Sequence, residues 1–466
     1  MTVVRNLQEL IDSVGNIVHH LSSLPKGVLP RVTTLQPPPH VMLEYTSWRD
    51  EQRAWRESVG LTDLSWHLTN LYLRGRDGRR LLDRLATNRF ETIRPGQAKQ
   101  FLACAPSGFV IGDAVAYCLD DETFLLVGND LTLNWVEFHA HTGPYDVTVE
   151  RDPIYALNPQ KRRTVFRFQV EGPFALELLE TVTRKSLRDL AFFEHRRFRI
   201  AGSEVVVLRH SMTGAAGFEL SGRWEARDKV LTEILTAGAR YQLRRIGSLA
   251  YFTNALESGW FPGPIPAIYT GDDLRPYREW LPATGGEASR PLSGSFYSDY
   301  IEDYYTSPFE LGYGKLIDWQ HDFIGHDALA KMRGTEQRRK VMLVWDRDDV
   351  ATLLRMAVCH DPAPAKYLEL PLAQYGSKFD LVEDSNGRLV GLSHWTGFLS
   401  TEGTVVSIAL LDRSFAVPGA IVTVVWGEAE ERRARGWADE HTLFRVRARV
   451  TWPPLNPLAR TYRSRR

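Results

Sequence analysis

Apolar residues at Leu7, Leu10, Ile11, Val14, Ile17, Val18 and Leu21 recur at helical spacing, with Asn6 placed to cap the stripe. The run Gln36-Pro37-Pro38-Pro39-His40 ends regular structure, because proline lacks an amide donor and restricts the residue before it. Residues 48–59, WRDEQRAWRESV, read as an amphipathic helix. Leu71-Tyr72-Leu73 alternates with polar neighbours as a strand, and Gly75-Arg76-Asp77-Gly78 turns the chain into a helix around Leu81 and Leu85. Residues 109–117 (FVIGDAVAY) and 124–127 read as two strands of an antiparallel pair.

A second unit begins near Thr164. Residues 165–170 are strand-like, Gly172-Pro173 turns the chain, 175–187 are helical, 198–208 strand-rich, and 225–241 form another helix. Antiparallel strands alternating with helices predict an α+β fold and not a doubly wound parallel sheet. Residues 284–294 (TGGEASRPLSG), rich in small and turn-forming types, are expected to be flexible. From about Lys340 the pattern changes. Residues 341–345, 389–392, 405–411, 421–426 and 443–452 are short strands separated by turns, which predicts a small C-terminal β-barrel. The charge run 428–435 is expected to be a solvated loop face. The chain thus divides into an N-terminal α+β unit (1–163), a second α+β unit (164–338) and a β-barrel (339–466).

Length supports that division, since 466 residues exceed what one core organises. Lys plus Arg equals Asp plus Glu, 57 against 57, so no overall field draws the chain to nucleic acid or an anionic membrane. Cys104, Cys118 and Cys359 are few and far apart, which argues against a disulfide framework and fits a reducing cytoplasm. The opening MTVVRNLQELID has no apolar run behind a basic end, so no signal peptide is expected. No apolar run approaches the roughly 18 residues needed to span a bilayer. No dimerisation helix stands out, and a monomer is expected.

Common cofactor and nucleophile signatures are absent. There is no GxGxxG after a strand, no GxxxxGK[ST], no HExxH and no GxSxG. His19-His20 and His139-Ala140-His141 lack carboxylates or cysteines at ligand spacing, so no metal is expected. What stands out is GSLAYFTNALESGW at 247–260, which places a tyrosine, a carboxylate, a glycine and a tryptophan close together. FIGHDAL follows at 323–329, a tight turn at Gly325 opening a helix.

These segments, with others in order, resemble the glycine-cleavage T-protein (aminomethyltransferase) family of folate-dependent methyl-transfer enzymes. Leu61-Thr62-Asp63-Leu64-Ser65 resembles its LFDxS element, and Thr87-Asn88 with Pro95-Gly96-Gln97-Ala98 its TN…PGxA pair. Val110-Ile111-Gly112-Asp113, Gly217-Phe218-Glu219, Leu256-Glu257-Ser258-Gly259 and FIGHDAL match further elements. Two long stretches, 255–283 and 294–314, are similar to one branch, the tetrahydrofolate-dependent aryl O-demethylases that act on vanillate, syringate or dicamba. The resemblance implies a T-protein-like three-domain arrangement, with a ferredoxin-like second domain and the C-terminal barrel around a central folate cleft. It implies transfer of a methoxyl methyl from a methoxylated aromatic acid to N5 of tetrahydrofolate.

A phenolate is a poor leaving group, with a conjugate acid near ~10 by analogy with tyrosine. Alignment behind the methyl carbon and proton donation to the departing oxygen both lower that barrier. Taken alone, Tyr251 reads as a packed tyrosine; the resemblance makes it the general acid. It makes Glu219 a pterin ligand, since a carboxylate accepts two parallel N–H bonds. Trp260 and Phe192 become apolar walls, Asp113 and Gln169 folate-side groups, and His67 a lining of the aromatic pocket. Asn129 stands where the vanillate enzyme has an arginine for the substrate carboxylate, and residues 27–45 are longer and proline-rich. Losing a bidentate cation removes a strong carboxylate clamp. A 2-methoxybenzoate such as dicamba is therefore expected first, and syringate-like acids next. Two alternatives stay open: a folate-dependent N- or S-demethylase or aminomethyltransferase, and a non-catalytic folate-binding protein.

Overall fold

Period-two alternation builds the first sheet of the computed structural model, which describes residues 4–24, 42–154, 158, 163–335, 337–359, 364–373, 376–456 and 459. The proline run beginning at Gln36 lies outside these. The sheet orders five antiparallel strands as Ala98–Cys104, Val110–Cys118, Thr123–Gly128, Thr69–Arg74 and Thr148–Asp152. Leu71, Leu73, Ala114, Ala116 and Leu126 face one way, into a core with Leu81, Leu82, Leu85, Leu133 and Val136 of helices Gly78–Leu85 and Asp130–Thr142. Tyr117, Leu125 and Val127 face the other way, where they meet Leu208 of a second sheet.

That second sheet has six strands, ordered Arg244–Ile246, Gly60–Asp63, Val165–Glu171, Gly217–Arg223, Ser203–Arg209 and His195–Ile200. Helices Ala175–Thr183 and Arg227–Gly238 cover the face carrying Phe166, Phe168, Val170, Val205, Val207, Phe218 and Leu220. The order is a split β-α-β pattern of ferredoxin type, with Gly60–Asp63 wedged parallel to Arg244–Ile246 and antiparallel to Val165–Glu171. A strand from before residue 164 therefore completes a sheet formed mostly after it. The uncovered face carries the odd-numbered residues Arg167, Gln169 and Glu171, turned toward the five-stranded sheet.

The C-terminal strands close into a six-stranded barrel, Arg338–Trp345, Thr404–Asp412, Leu389–Leu399, Asp380–Glu383, Ile421–Trp426 and Phe444–Thr451 in order. Val341, Leu343, Trp345, Val424, Trp426 and Val446 fill its core.

Three expectations need correction. The N-terminal stripe is two helices, Leu7–Val14 and Ile17–Ser23, because Gly15 adopts φ 71 and Asn16 caps anew, accepting from the Val18 and His19 amides. The 284–294 stretch is tied down. Glu287 is buried and accepts from Asn134 at 2.8 Å, while Arg290 donates to the Gly263 carbonyl at 2.7 Å. The 428–435 charge run is solvated only in part: Glu430, Glu431 and Arg435 are exposed, whereas Glu428 and Arg432 are buried. Arg432 is fully buried and donates to the Gly294 and Phe296 carbonyls at 2.7 and 2.8 Å, and Glu428 accepts from the Gly294 amide at 2.9 Å. The backbone groups of Gly294 and the Phe296 carbonyl lie outside the paired strands, and the charged run supplies their partners.

Candidate active site

Strand Val165–Glu171 reads VFRFQVE, apolar at 166, 168 and 170 and polar at 167, 169 and 171. A polar strand face ordinarily meets water, but here the five-stranded sheet covers it, so each group has to find a partner. Arg167 donates to Glu219 Oε2 at 3.0 Å, to the Tyr117 hydroxyl at 3.1 Å and to Asn70 Oδ1 at 3.0 Å. Glu219, on the neighbouring strand opposite Gln169, is bonded at its other oxygen to His210 Nδ1 at 2.7 Å. Burial pushes the Glu219 carboxyl up, but the His210 hydrogen bond and charge, joined by the Arg167 guanidinium, outweigh it and hold the group at about 2. Glu219 is therefore an ionised, oriented acceptor.

Two positions along, Glu171 accepts from the Met212 amide at 2.5 Å, the Thr213 amide at 3.3 Å and Gln169 Nε2 at 3.1 Å. Burial raises its carboxyl to about 7, against the lowering effect of the Met212, Ser211 and Thr213 groups. Gln169 is 1% exposed, and its Oε1 has no hydrogen-bond partner among the described residues.

Tyr251 ends the four-residue helix Ser248–Tyr251. So short a helix depends on outside partners for its first amides. Leu43 O accepts from Leu249 N and Met42 O from Ser248 N, each at 3.1 Å, and buried Glu51 accepts from Gly247 N at 2.7 Å. Gly247 is required here, since a Cβ would lie 2.2 Å from Leu43 O. Gly247→Ala is expected to cost about 1–3 kcal/mol of stability through overpacking and to lower turnover by displacing Tyr251. Denaturant melts and initial rates check both, and an unchanged melt would deny the close approach its structural weight.

The Tyr251 ring lies edge-on to His67 at 5.3 Å and to Phe252 at 4.9 Å, and His67 in turn meets Trp66 at 5.3 Å. Burial, then the negative charges of Glu219 and Glu171, raise the Tyr251 phenol above the usual tyrosine range, while Asn254 hydrogen-bonds it in the opposite sense. The hydroxyl thus stays protonated and shares the electrostatic environment of Glu219. Burial lowers His67 to about 4, so its imidazole is neutral near pH 7.

A second cluster lies on strand Val110–Cys118. Asp113 Oδ2 accepts from Gln100 at 2.7 Å, Tyr313 at 2.8 Å and Trp260 Nε1 at 3.2 Å, and Trp260 also donates to the Tyr313 hydroxyl at 2.7 Å. The Trp260 ring plane is thereby fixed. Burial raises the Asp113 carboxyl, opposed by these three donors. Asp113 and Tyr117 share one face of the strand, four residues and about 13 Å apart at a strand's rise.

The structure thus brings together Tyr251, His67, Glu219 and Gln169, with Phe192 beside His210 at 6.1 Å. Asp113 and Trp260 stand as a pair further along the same strand face. Asn129 is placed differently: it is exposed, and its Oδ1 caps helix Asp130–Thr142 by accepting from the Thr132 amide at 3.0 Å. Glu257 of the LESG element pairs with Arg56 in a buried ion pair away from this face. Sequence reasoning missed Arg167, Tyr117, His210 and Glu171. Polar residues at alternate positions of an otherwise apolar strand were the available signal for two of them.

Comparison with known proteins follows this geometry. The family model for the GCVT N-terminal domain matches residues 40–262. A syringate O-demethylase from a Sphingobium species is 35% identical over 98% of this chain and 98% of its own length. The chain belongs to the GCVT family, in the branch of the tetrahydrofolate-dependent aryl O-demethylases. A sesamin methylene transferase from a Sinomonas species is 27% identical over 83% of this chain and 86% of its own. An aminomethyltransferase from Thermotoga petrophila is 27% identical over 65% of the chain and 71% of its own. The fold itself is that of the aminomethyltransferase T of Bartonella henselae, with a TM-score of 0.61 over 96% of each chain at 15% identity. This family member is an enzyme, a tetrahydrofolate-dependent methyltransferase. Its residues fit that cofactor: Glu219 is an ionised acceptor, and Gln169 Oε1 is a buried acceptor without a donor among the described residues. Among the described residues no helix is long and apolar enough to cross a membrane.

Proposed function

We propose that the enzyme removes the methoxyl methyl of a methoxylated aromatic acid, releasing a phenol and forming 5-methyltetrahydrofolate. The observation that carries this reading is a buried tyrosine at 251, held edge-on by His67. Bound tetrahydrofolate supplies N5, the nucleophile that takes the methyl group. Glu219, with Gln169 beside it, would hold the pterin edge through N–H bonds, and Trp260 and Phe192 would wall the ring system. Tyr251 donates its proton to the ether oxygen as the carbon–oxygen bond breaks. Burial that raises the tyrosine raises a phenolate in the same pocket for the same reason, so donor and acceptor stay matched. His67, neutral, packs the tyrosine ring and the substrate ring and does not act as a cation for the carboxylate.

Syringate-like acids take first place over 2-methoxybenzoates such as dicamba, reversing the sequence-based order. The 35% identity to a syringate O-demethylase along nearly the whole of both chains supports this. Asn129, engaged as a helix cap, supplies no cation at that position, so the substrate carboxylate is held elsewhere. The test is incubation of purified enzyme with tetrahydrofolate and methyl-13C-labelled syringate, vanillate and 2-methoxybenzoates, followed by NMR. Label is expected in 5-methyltetrahydrofolate, most rapidly from syringate. Absence of label transfer from every ether would sink the reading.

A further inference from the structure

Glu171 has no part in the mechanism above, yet it is buried on the same polar face as Glu219. Its own position is rigid. The Met212 and Thr213 amides hold Oε1, and Gly217, its cross-strand partner, leaves only enough room for the side chain, since a Cβ there would lie 2.9 Å from Glu171 Cγ. Oε1 also accepts Gln169 Nε2 at 3.1 Å. Two backbone amides donate to Oε1, which keeps it an acceptor whether or not Glu171 is protonated, so the carboxamide of Gln169 has to turn its nitrogen toward Glu171 and its oxygen away. Among the described residues that oxygen has no hydrogen-bond partner. Gln169 and Glu219 are directly opposed on neighbouring antiparallel strands, which sets their Cα atoms about 5 Å apart.

We propose that Glu171 is a positioning residue: it locks the Gln169 amide oxygen-outward, so that Gln169 and Glu219 present a double-acceptor edge to the adjacent N–H donors of a reduced pterin. This rests on the folate reading of the site. A free glutamine can present either end of its amide, and the wrong end would set an N–H against an N–H. Glu171 removes that choice. Its effect is exerted through Gln169 and not through the reacting atoms.

A double-mutant cycle read as tetrahydrofolate affinity tests this, with kcat at saturating folate measured alongside. Glu171→Gln is expected to weaken binding about tenfold or more, the effect of an acceptor lost in a buried site, while kcat changes little. In a Gln169→Leu background the same substitution is expected to add nothing, because the amide it orients is gone. Exchanging the pair, Gln169→Glu with Glu171→Gln, keeps the charge and restores an acceptor at 169, and affinity is expected to return. Wild-type affinity in Glu171→Gln would overturn the proposal. So would full additivity in the cycle, which needs no exchanged variant to fold. A wild-type enzyme that does not bind tetrahydrofolate would instead overturn the folate reading, and this proposal with it.

Discussion

Tyr251→Phe is expected to lower kcat by about a hundred- to ten-thousand-fold, the range of a lost general acid, with tetrahydrofolate affinity nearly unchanged. The phenyl ring keeps its edge-on contacts with His67 and Phe252, so the substitution removes one oxygen and little packing. Folate binding is assigned to Glu219 and Gln169, on strands of the six-stranded sheet, so the two readouts separate. Single-turnover rates and equilibrium titration with tetrahydrofolate measure them. Equal losses in both would mean that Tyr251 holds the cofactor; an unchanged rate would mean that it only packs.

Arg167→Met is expected to cost about 3–5 kcal/mol of stability, the effect of leaving one member of a buried ion pair uncompensated. Arg167 bonds Glu219, Tyr117 and Asn70 at once, so its loss leaves the Tyr117–Glu219 hydrogen bond to join the two sheets there. Glu219 would keep His210 and the Tyr117 hydroxyl, which donates to its Oε2 at 3.3 Å, and folate affinity should fall with stability. Adding Glu219→Leu should recover much of the stability but none of the folate binding, because the stranded charge is removed along with the ligand. The acid side gives a second check. The Glu219 carboxyl is held at about 2 against an ordinary 4.5, so its contribution is complete above pH 4.5 and disappears as pH falls through about 2. In Arg167→Met the share of that contribution that Arg167 adds to His210 should already be missing at neutral pH. Chemical denaturation at pH 7 and at pH 3 separates the cases, and a variant as stable as wild type at pH 7 would refute the network.

Much of the fold was legible because its signals are local. The alternation in 109–117 and 124–127 is the observed antiparallel pair, Val110–Cys118 with Thr123–Gly128, and the five short C-terminal strands close into the barrel with one added, Asp380–Glu383. The site was legible only where the family resemblance reached. Arg167 and Glu171 stand in a visible alternation, but whether a polar strand face meets water or another sheet is decided by tertiary packing. Arg432 shows the same limit, since its carbonyl partners at Gly294 and Phe296 lie 138 and 136 residues away. Asn129 shows the converse. An asparagine ahead of a helix is a cap by local rule, and Asn129 caps Asp130–Thr142.

The account rests on a phenolic proton passed to the departing ether oxygen, and leaving-group dependence reads that proton directly. Turnover of aryl methyl ethers graded in phenol acidity should vary little in the wild-type enzyme, because the oxygen is protonated as it leaves. In Tyr251→Phe the rate should climb steeply with phenol acidity, so that nitro-substituted ethers approach the wild-type rate. Parallel slopes for the two proteins would contradict it.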